Sequence, residues 1–98
     1  MIRHIALLTF VDGTTAAQVH AMETALATLP ARLPQLRGYA IGRDLAINEG
    51  NATFGVVAEF ATVDDYLAYR DDPEHRRIIA ELIAPVLAAR TAVQYEIG

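Results

Sequence analysis

Apolar and polar positions along the first ten residues form a pattern that is typical of a β-strand. The run Met1–Phe10 is short and suited to a strand, and the turn signal Val11-Asp12-Gly13 follows it directly. Ile5 and Leu7 project to one side of this strand, and further apolar residues project to the other. The pattern therefore predicts a first strand with two partly apolar faces.

The spacing after this strand predicts a helix from about Ala16 to Thr28. Thr15 and Gln18 stand at capping-box spacing, which signals a helix start. Apolar residues then recur at helical spacing, at Val19, Met22, Leu26 and Leu29. Pro30 and Pro34 end the helix because proline removes a backbone donor and clashes with the preceding turn.

Two more strands are predicted around a polar turn. The stretch Leu36–Arg43 predicts a second strand, although its hydrophobic pattern is poor. The run Asn48–Asn51 is a strong turn signal, and Thr53–Phe60 after it carries apolar residues at alternate positions. This alternation predicts a third strand with one buried face.

The second half of the chain predicts two consecutive helical segments and a last strand. Thr62 and Asp65 stand at capping-box spacing before the first segment. Asp72-Pro73 restarts a helix with Asp at the N-cap and Pro at the first helical position, and Pro85 ends it. Thr91–Ile97 then closes the chain as a fourth strand.

This order of elements predicts the fold class α+β. Strand, helix, strand, strand, helix, strand is the βαββαβ arrangement of a ferredoxin-like sheet with helices on one face. The other face stays open, and the first strand presents apolar residues on that side too. The sequence therefore predicts a subunit that forms a homodimeric α/β barrel through its sheet faces.

Composition limits the possible classes of protein. A chain of 98 residues with 53% hydrophobic residues predicts a single domain over residues 1–98, and its apolar content favours burial between subunits. The net charge of -4 argues against a nucleic-acid partner, and the absence of cysteine excludes thiol chemistry. No apolar run is long enough for a membrane span or resembles a signal peptide, so a cytoplasmic location is expected.

Three histidines are the first candidates for chemistry because imidazole titrates near neutral pH. His20 lies beside the apolar stripe of the first helix, which indicates a solvated surface position. His4 alternates with apolar residues on a central strand, where a structural and a catalytic role are both open. His75 lies on the apolar stripe of its helix and needs a polar partner there.

His75 and Tyr69 form the sharpest candidate pair. His75 occupies the third helical position, where the helix dipole disfavours the imidazolium and favours a neutral proton acceptor. Tyr69 lies across the Asp72-Pro73 break and is expected to share a cavity with His75. A purely structural role for the pair is an equal alternative at this stage.

Other constellations predict neither a metal site nor a cofactor site. Asp64-Asp65 and Asp71-Asp72 are paired carboxylates, but both pairs fall where helix caps and first-turn acids belong. The chain contains no phosphate-binding loop, nucleophile elbow or dinucleotide fingerprint. We expect an activity that needs no cofactor.

The combined pattern resembles the stress-responsive dimeric α/β-barrel domain family, often called Dabb. The resemblance covers nearly the whole chain. It is carried by Arg3-His4-Ile5, Gly42-Arg43-Asp44, Glu59-Phe60, the Tyr69-x-x-x-Pro73-x-His75 segment and Tyr95. The Pro-x-His segment before an apolar helix is the most specific of these features.

The resemblance implies a homodimer and a cleft between sheet and helices in each subunit. Relatives include a plant polyketide cyclase that performs an aldol condensation, and plant stress proteins with no evident reaction. The cyclase pattern implies His75 as base, Tyr69 as the group that orients the carbonyl, and His4 in the pocket. The chain departs from that pattern at Asp72, Phe54 and Leu26, where the cyclase has two histidines and a tyrosine.

Three functions are therefore carried forward. The first is a stress-response barrel protein with a small apolar pocket, acting as a cyclase-like or proton-transfer enzyme on an apolar carbonyl or phenolic ligand. The second is a non-catalytic scaffold in which Tyr69 and His75 hydrogen-bond to each other and no cavity admits a ligand. The third is a cofactor-free monooxygenase or isomerase of the wider dimeric barrel superfamily.

Overall fold

The computed structural model describes residues 1–98 as a four-stranded antiparallel sheet with helices packed on one face. The elements are β1 (Ile2–Phe10), α1 (Ala16–Leu26), α2 (Leu29–Arg32), β2 (Gly38–Arg43), β3 (Phe54–Phe60), α3 (Val63–Asp71), α4 (Pro73–Ile78) and β4 (Leu87–Glu96). A π-helical turn at Ile79–Ile83 and a 3₁₀ turn at Ala84–Val86 join α4 to β4. The strand order β2-β3-β1-β4 confirms the ferredoxin-like arrangement.

The two faces of the sheet differ in burial. On the helix side, alternate residues of β3 from Phe54 to Phe60 are buried and pack with the apolar stripe of α1. On the other side, Leu7 of β1 and Val93 of β4 remain 44% and 51% exposed. The alternation predicted for the strands therefore separates a core face from an open apolar face.

Two boundaries differ from the sequence prediction. The fourth strand begins at Leu87, four residues before the predicted Thr91, because its pairing with β1 extends to Phe10. The first helix ends at Leu26, and the short helix α2 follows it. Pro30 lies at the second position of α2, where its missing N–H leaves no helical hydrogen bond unmade. Proline there permits a new helix, whereas we predicted only a helix end.

Side-chain caps define the helix starts as the sequence predicts. Thr15 and Gln18 form a reciprocal capping box at α1. The Thr62 hydroxyl accepts the backbone N–H of Asp65 at α3, without the reciprocal bond. Asp72 separates α3 from α4 and accepts the backbone N–H of His75 at 3.0 Å. The last cap therefore fixes the break between α3 and α4.

Removal of the Asp72 cap is expected to weaken the fold. The Asp72 carboxylate is buried, and it also accepts hydrogen bonds from Arg32 at 3.3 and 3.4 Å. Asp72→Ala should lower the free energy of unfolding by about 1–2 kcal/mol, measured by urea denaturation. Asp72→Asn keeps an oxygen at the N-cap and should cost clearly less. Equal losses in the two variants would show that the ion pair with Arg32, and not the cap, is the main contribution.

Candidate active site

A cavity of about 170 Å³ lies between the helix side of the sheet and the helices. Most of its lining is apolar, and its polar lining comes from His4, Tyr66, Tyr69, Arg70, His75 and Arg90. An engineered protein cavity of about 150 Å³ is known to admit benzene. The space therefore suits one aromatic ring or a short alkyl chain.

His4 enters this cavity from β1 as a neutral imidazole. It pairs with Gln94 across the β1–β4 ladder, and the Gln94 amide nitrogen donates to His4 Nδ1 at 2.8 Å. Burial, and then the charges of Arg90 and His75, lower the pKa of His4 to about 4. Because Nδ1 accepts a hydrogen bond, the proton of the neutral ring is on Nε2. His4 is thus a hydrogen-bond donor at neutral pH.

His75 has the opposite tautomer. It is the third residue of α4, and its Nδ1 donates to the backbone carbonyl of Arg70 at 3.3 Å. Burial lowers its pKa, and the Arg70 carbonyl and the Asp72 charge oppose this shift only in part. The neutral ring therefore has a free lone pair on Nε2. A buried imidazole in this state is suited to accept a proton.

Tyr69 lies directly against His75, with ring centroids 4.1 Å apart and ring planes inclined at 33°. The two side chains stack and do not hydrogen-bond to each other. Burial raises the pKa of the Tyr69 phenol far above its usual value, so the hydroxyl stays protonated. Tyr69 can donate a hydrogen bond to a ligand oxygen, but it cannot act as a phenolate near neutral pH.

Tyr39 borders this cluster from β2. Burial raises its pKa to about 12, and its ring lies edge-on to Tyr69 with centroids 6.4 Å apart. Its hydroxyl is near enough to influence the pKa of Tyr69, but it is buried without a hydrogen-bond partner of normal geometry. Tyr39 therefore supports the Tyr69 ring through packing.

The structure brings all three predicted site residues, His4, Tyr69 and His75, to the same cavity. It leaves His20 exposed on α1, as the sequence indicates. The acidic pairs serve other ends: Asp64-Asp65 lies in the first turn of α3, and Asp71 bonds Arg70 and Arg76. No group of three or more acidic or histidine side chains is arranged to hold a metal ion.

Sequence reasoning missed three residues of the site: Tyr66, Arg90 and Gln94. The helix side of β4 carries Arg90, Ala92 and Gln94. In that order, they pair with Leu8, Ala6 and His4 on the helix side of β1. A strand beginning at Thr91 left Arg90 outside the sheet, so this alternation was not seen. The available signal was the spacing of Arg90 and Gln94, which lie four residues apart and therefore on the same side of a strand.

The fold and cavity define the class of protein. The profile of the family described as Stress responsive A/B Barrel Domain (Dabb) matches residues 2–97, and this chain belongs to that family. No helix combines the length and apolar character that crossing a membrane requires. A search among curated proteins gave no match.

Solved structures with the same fold come from several organisms. A dimeric ferredoxin-like protein of unknown function from Thermobifida fusca is 48% identical, with TM-score 0.90 over 98% of this chain and 90% of that one. A dimeric ferredoxin-like protein from Bacteroides fragilis is 24% identical, with TM-score 0.80 over 98% and 95%. The hydroxynitrile lyase of Passiflora edulis is 19% identical, with TM-score 0.84 over 99% and 93%. The last two likenesses concern the fold alone.

The burial of His4 predicts a loss of stability in mild acid. Well above pH 6.5 the ring is neutral in both the folded and unfolded states, so it contributes no pH dependence there. As the pH falls through 6.5, His4 of the unfolded state binds a proton, whereas His4 of the folded state binds one only near its pKa of about 4. The free energy of unfolding should therefore fall by about 2 kcal/mol between pH 7.5 and pH 5.0. His75, whose pKa is also lowered, adds to this fall.

Urea denaturation at the two pH values measures this change. His4→Gln removes the titrating group and should show a clearly smaller fall. The hydrogen-bonded carboxylates contribute little above pH 5, because Asp71 and Glu74 lose their protons at lower pH. An equal fall in wild type and variant would contradict a neutral, buried His4.

Proposed function

We propose that this chain is a cofactor-independent proton-transfer enzyme that acts on a small apolar carbonyl or phenolic compound. The observation that carries the proposal is the state of His75: a neutral ring, with Nδ1–H on a carbonyl and a free Nε2, at an apolar cavity. Tyr69 lies against it with a protonated hydroxyl. A base and a hydrogen-bond donor in one cavity are the groups that enolisation needs.

The reaction follows from these two groups. His75 Nε2 takes a proton from the carbon beside the substrate carbonyl, and the C–H electron pair moves to form an enolate. The Tyr69 hydroxyl donates to the oxygen on which the negative charge develops. The enolate carbon then takes a proton back from the imidazolium. Alternatively, as in a cyclase, it forms a C–C bond to a second carbonyl carbon of the same substrate; the π electrons of that carbonyl move to its oxygen, which takes the proton from the imidazolium. His4 donates from the sheet side of the cavity.

The scaffold alternative fits the site less well. It expects a Tyr69–His75 hydrogen bond and no space for a ligand, whereas the rings stack and the cavity measures about 170 Å³. The same fold carries enzymatic activity in the Passiflora hydroxynitrile lyase. These observations support an enzyme, and a cytoplasmic location stays a prediction from sequence.

Deuterium exchange tests the proposed base. Wild-type protein in D₂O should accelerate exchange of the methyl protons of acetophenone, followed by proton NMR. His75→Ala should lower this rate at least a hundredfold, because a positioned general base contributes about 10²–10⁴. Tyr69→Phe should lower it by about a hundredfold, through loss of the oxyanion donor. His20→Ala removes an exposed histidine and is the matched control.

Folding must be compared in the same variants. A folded His75→Ala variant that keeps the wild-type exchange rate would refute the proposal. A wild-type protein that does not accelerate exchange would refute it too. A large loss of stability in His75→Ala without any effect on acetophenone binding would favour the scaffold alternative.

We also propose that two copies pack through the open faces of their sheets. On this face Ile5 of β1 pairs with Val57 and Val93, Leu7 is the next residue of β1 on the same side, and exposed Tyr95 borders them. At one edge Arg3 bonds Glu59 at 2.7 and 2.9 Å. The Thermobifida relative, 48% identical, is described as dimeric. A shared apolar patch with a polar border is typical of subunit interfaces.

Leu7→Glu tests this interface. Leu7 is 44% exposed in the single chain, so glutamate fits there without a core cavity, but it places a charge in the centre of the proposed interface. Light scattering should show a change from the mass of two chains to that of one. Thr24→Glu, on the exposed side of α1, should remain dimeric. A Leu7→Glu protein with the mass of two chains would rule out this interface.

A further inference from the structure

The charge around the cavity is opposite in sign to that of the chain. The chain has 12 acidic and 8 basic residues, yet no carboxylate lines the cavity and two arginines do. One of these, Arg70, is neutralised by Asp71 through hydrogen bonds of 2.9 and 3.0 Å. The side chain of the other, Arg90, forms no ion pair or hydrogen bond. The cavity therefore has one uncompensated guanidinium.

The state of Arg90 is unusual within this chain. All eight basic residues are arginines, and six of them are paired with carboxylates. Only Arg37 and Arg90 are not, and only Arg90 lines the cavity. Arg90 pairs with Leu8 across the β1–β4 ladder and shares the helix side of β4 with Gln94. It is also exposed, so it stands where the cavity meets solvent.

We infer that the ligand of this cavity is anionic: a carboxylate binds Arg90 at the opening, while an aryl or short alkyl body fills the apolar space. Guanidinium and carboxylate match in geometry and form two parallel charge-assisted hydrogen bonds. Because Arg90 is exposed, solvent screens part of this attraction, and the apolar lining reduces the screening only on the cavity side. If the ligand is also the substrate of the proposed proton transfer, the substrate class is a small oxo acid. Only this assignment of a substrate class rests on the proposed function.

Occupation of Arg90 would also assist the base. The charge of Arg90 is one of the factors that lower the pKa of His4 and of His75, after burial. A bound carboxylate neutralises that charge and makes the cavity more tolerant of the imidazolium that forms when His75 takes a proton. The anion would then serve both recognition and catalysis.

Binding of a matched pair of probes tests the inference. Phenylacetate and phenylacetamide have nearly the same shape but differ in charge, and their affinities can be measured by NMR titration. Wild type should bind phenylacetate at least tenfold more tightly than phenylacetamide. Arg90→Gln should abolish this preference through weaker phenylacetate binding alone. Arg37→Gln, which removes the other unpaired arginine away from the cavity, should change neither affinity.

Three results would overturn the inference: equal affinity of the two probes for wild type, a preference that survives in Arg90→Gln, or no binding of either probe at millimolar concentration. The neutral acetophenone assay keeps the two proposals separate. Exchange of acetophenone without a preference for phenylacetate refutes only the anionic ligand. A preference for phenylacetate without exchange refutes only the proton transfer.

Discussion

The hydrogen bonds of the Asp72 carboxylate hold the junction on which the site depends. Asp72 is the C-cap of α3, and its carboxylate caps α4 through the His75 N–H and accepts bonds from Arg32, the last residue of α2. Burial opposes its charge, but these hydrogen bonds outweigh burial and keep the pKa of the carboxyl below its usual range. The cap fixes the start of α4, so that His75, its third residue, lies with its ring against Tyr69 and its Nδ1 on the Arg70 carbonyl.

A second constraint is that the imidazoles are buried and neither ring hydrogen-bonds a carboxylate. His4 has a neutral amide partner, Gln94, and His75 has a backbone carbonyl, while the nearby Asp72 charge offsets the burial of His75 only in part. Burial then keeps both rings neutral near pH 7. The opposite tautomers make His4 a donor and His75 an acceptor. The two histidines are similarly buried, but the partner of Nδ1 differs, so Nε2 donates in His4 and accepts in His75.

Local signals explain what could be predicted from the sequence. Caps, prolines and alternation lie within a few residues of the elements they define, so the four strands, the break at Asp72-Pro73 and the position of His75 follow from them. Arg90 and Gln94 belong to the site through pairing with Leu8 and His4, more than eighty residues away. Such contacts depend on strand register and on where β4 begins, and the four-residue spacing of Arg90 and Gln94 specifies neither.

The cavity and the proposed interface use opposite sides of the same strand. His4, Ala6 and Leu8 line the cavity from β1, while Ile5 and Leu7 lie between them on the open face. A shift of one residue in the pairing of β1 would exchange these two sets, placing His4 on the open face and Leu7 in the cavity. Burial of the open face by a second copy would therefore do more than stabilise the sheet. It would also favour the one register in which the imidazole faces the helices, so that assembly and site geometry depend on the same alternation of side chains.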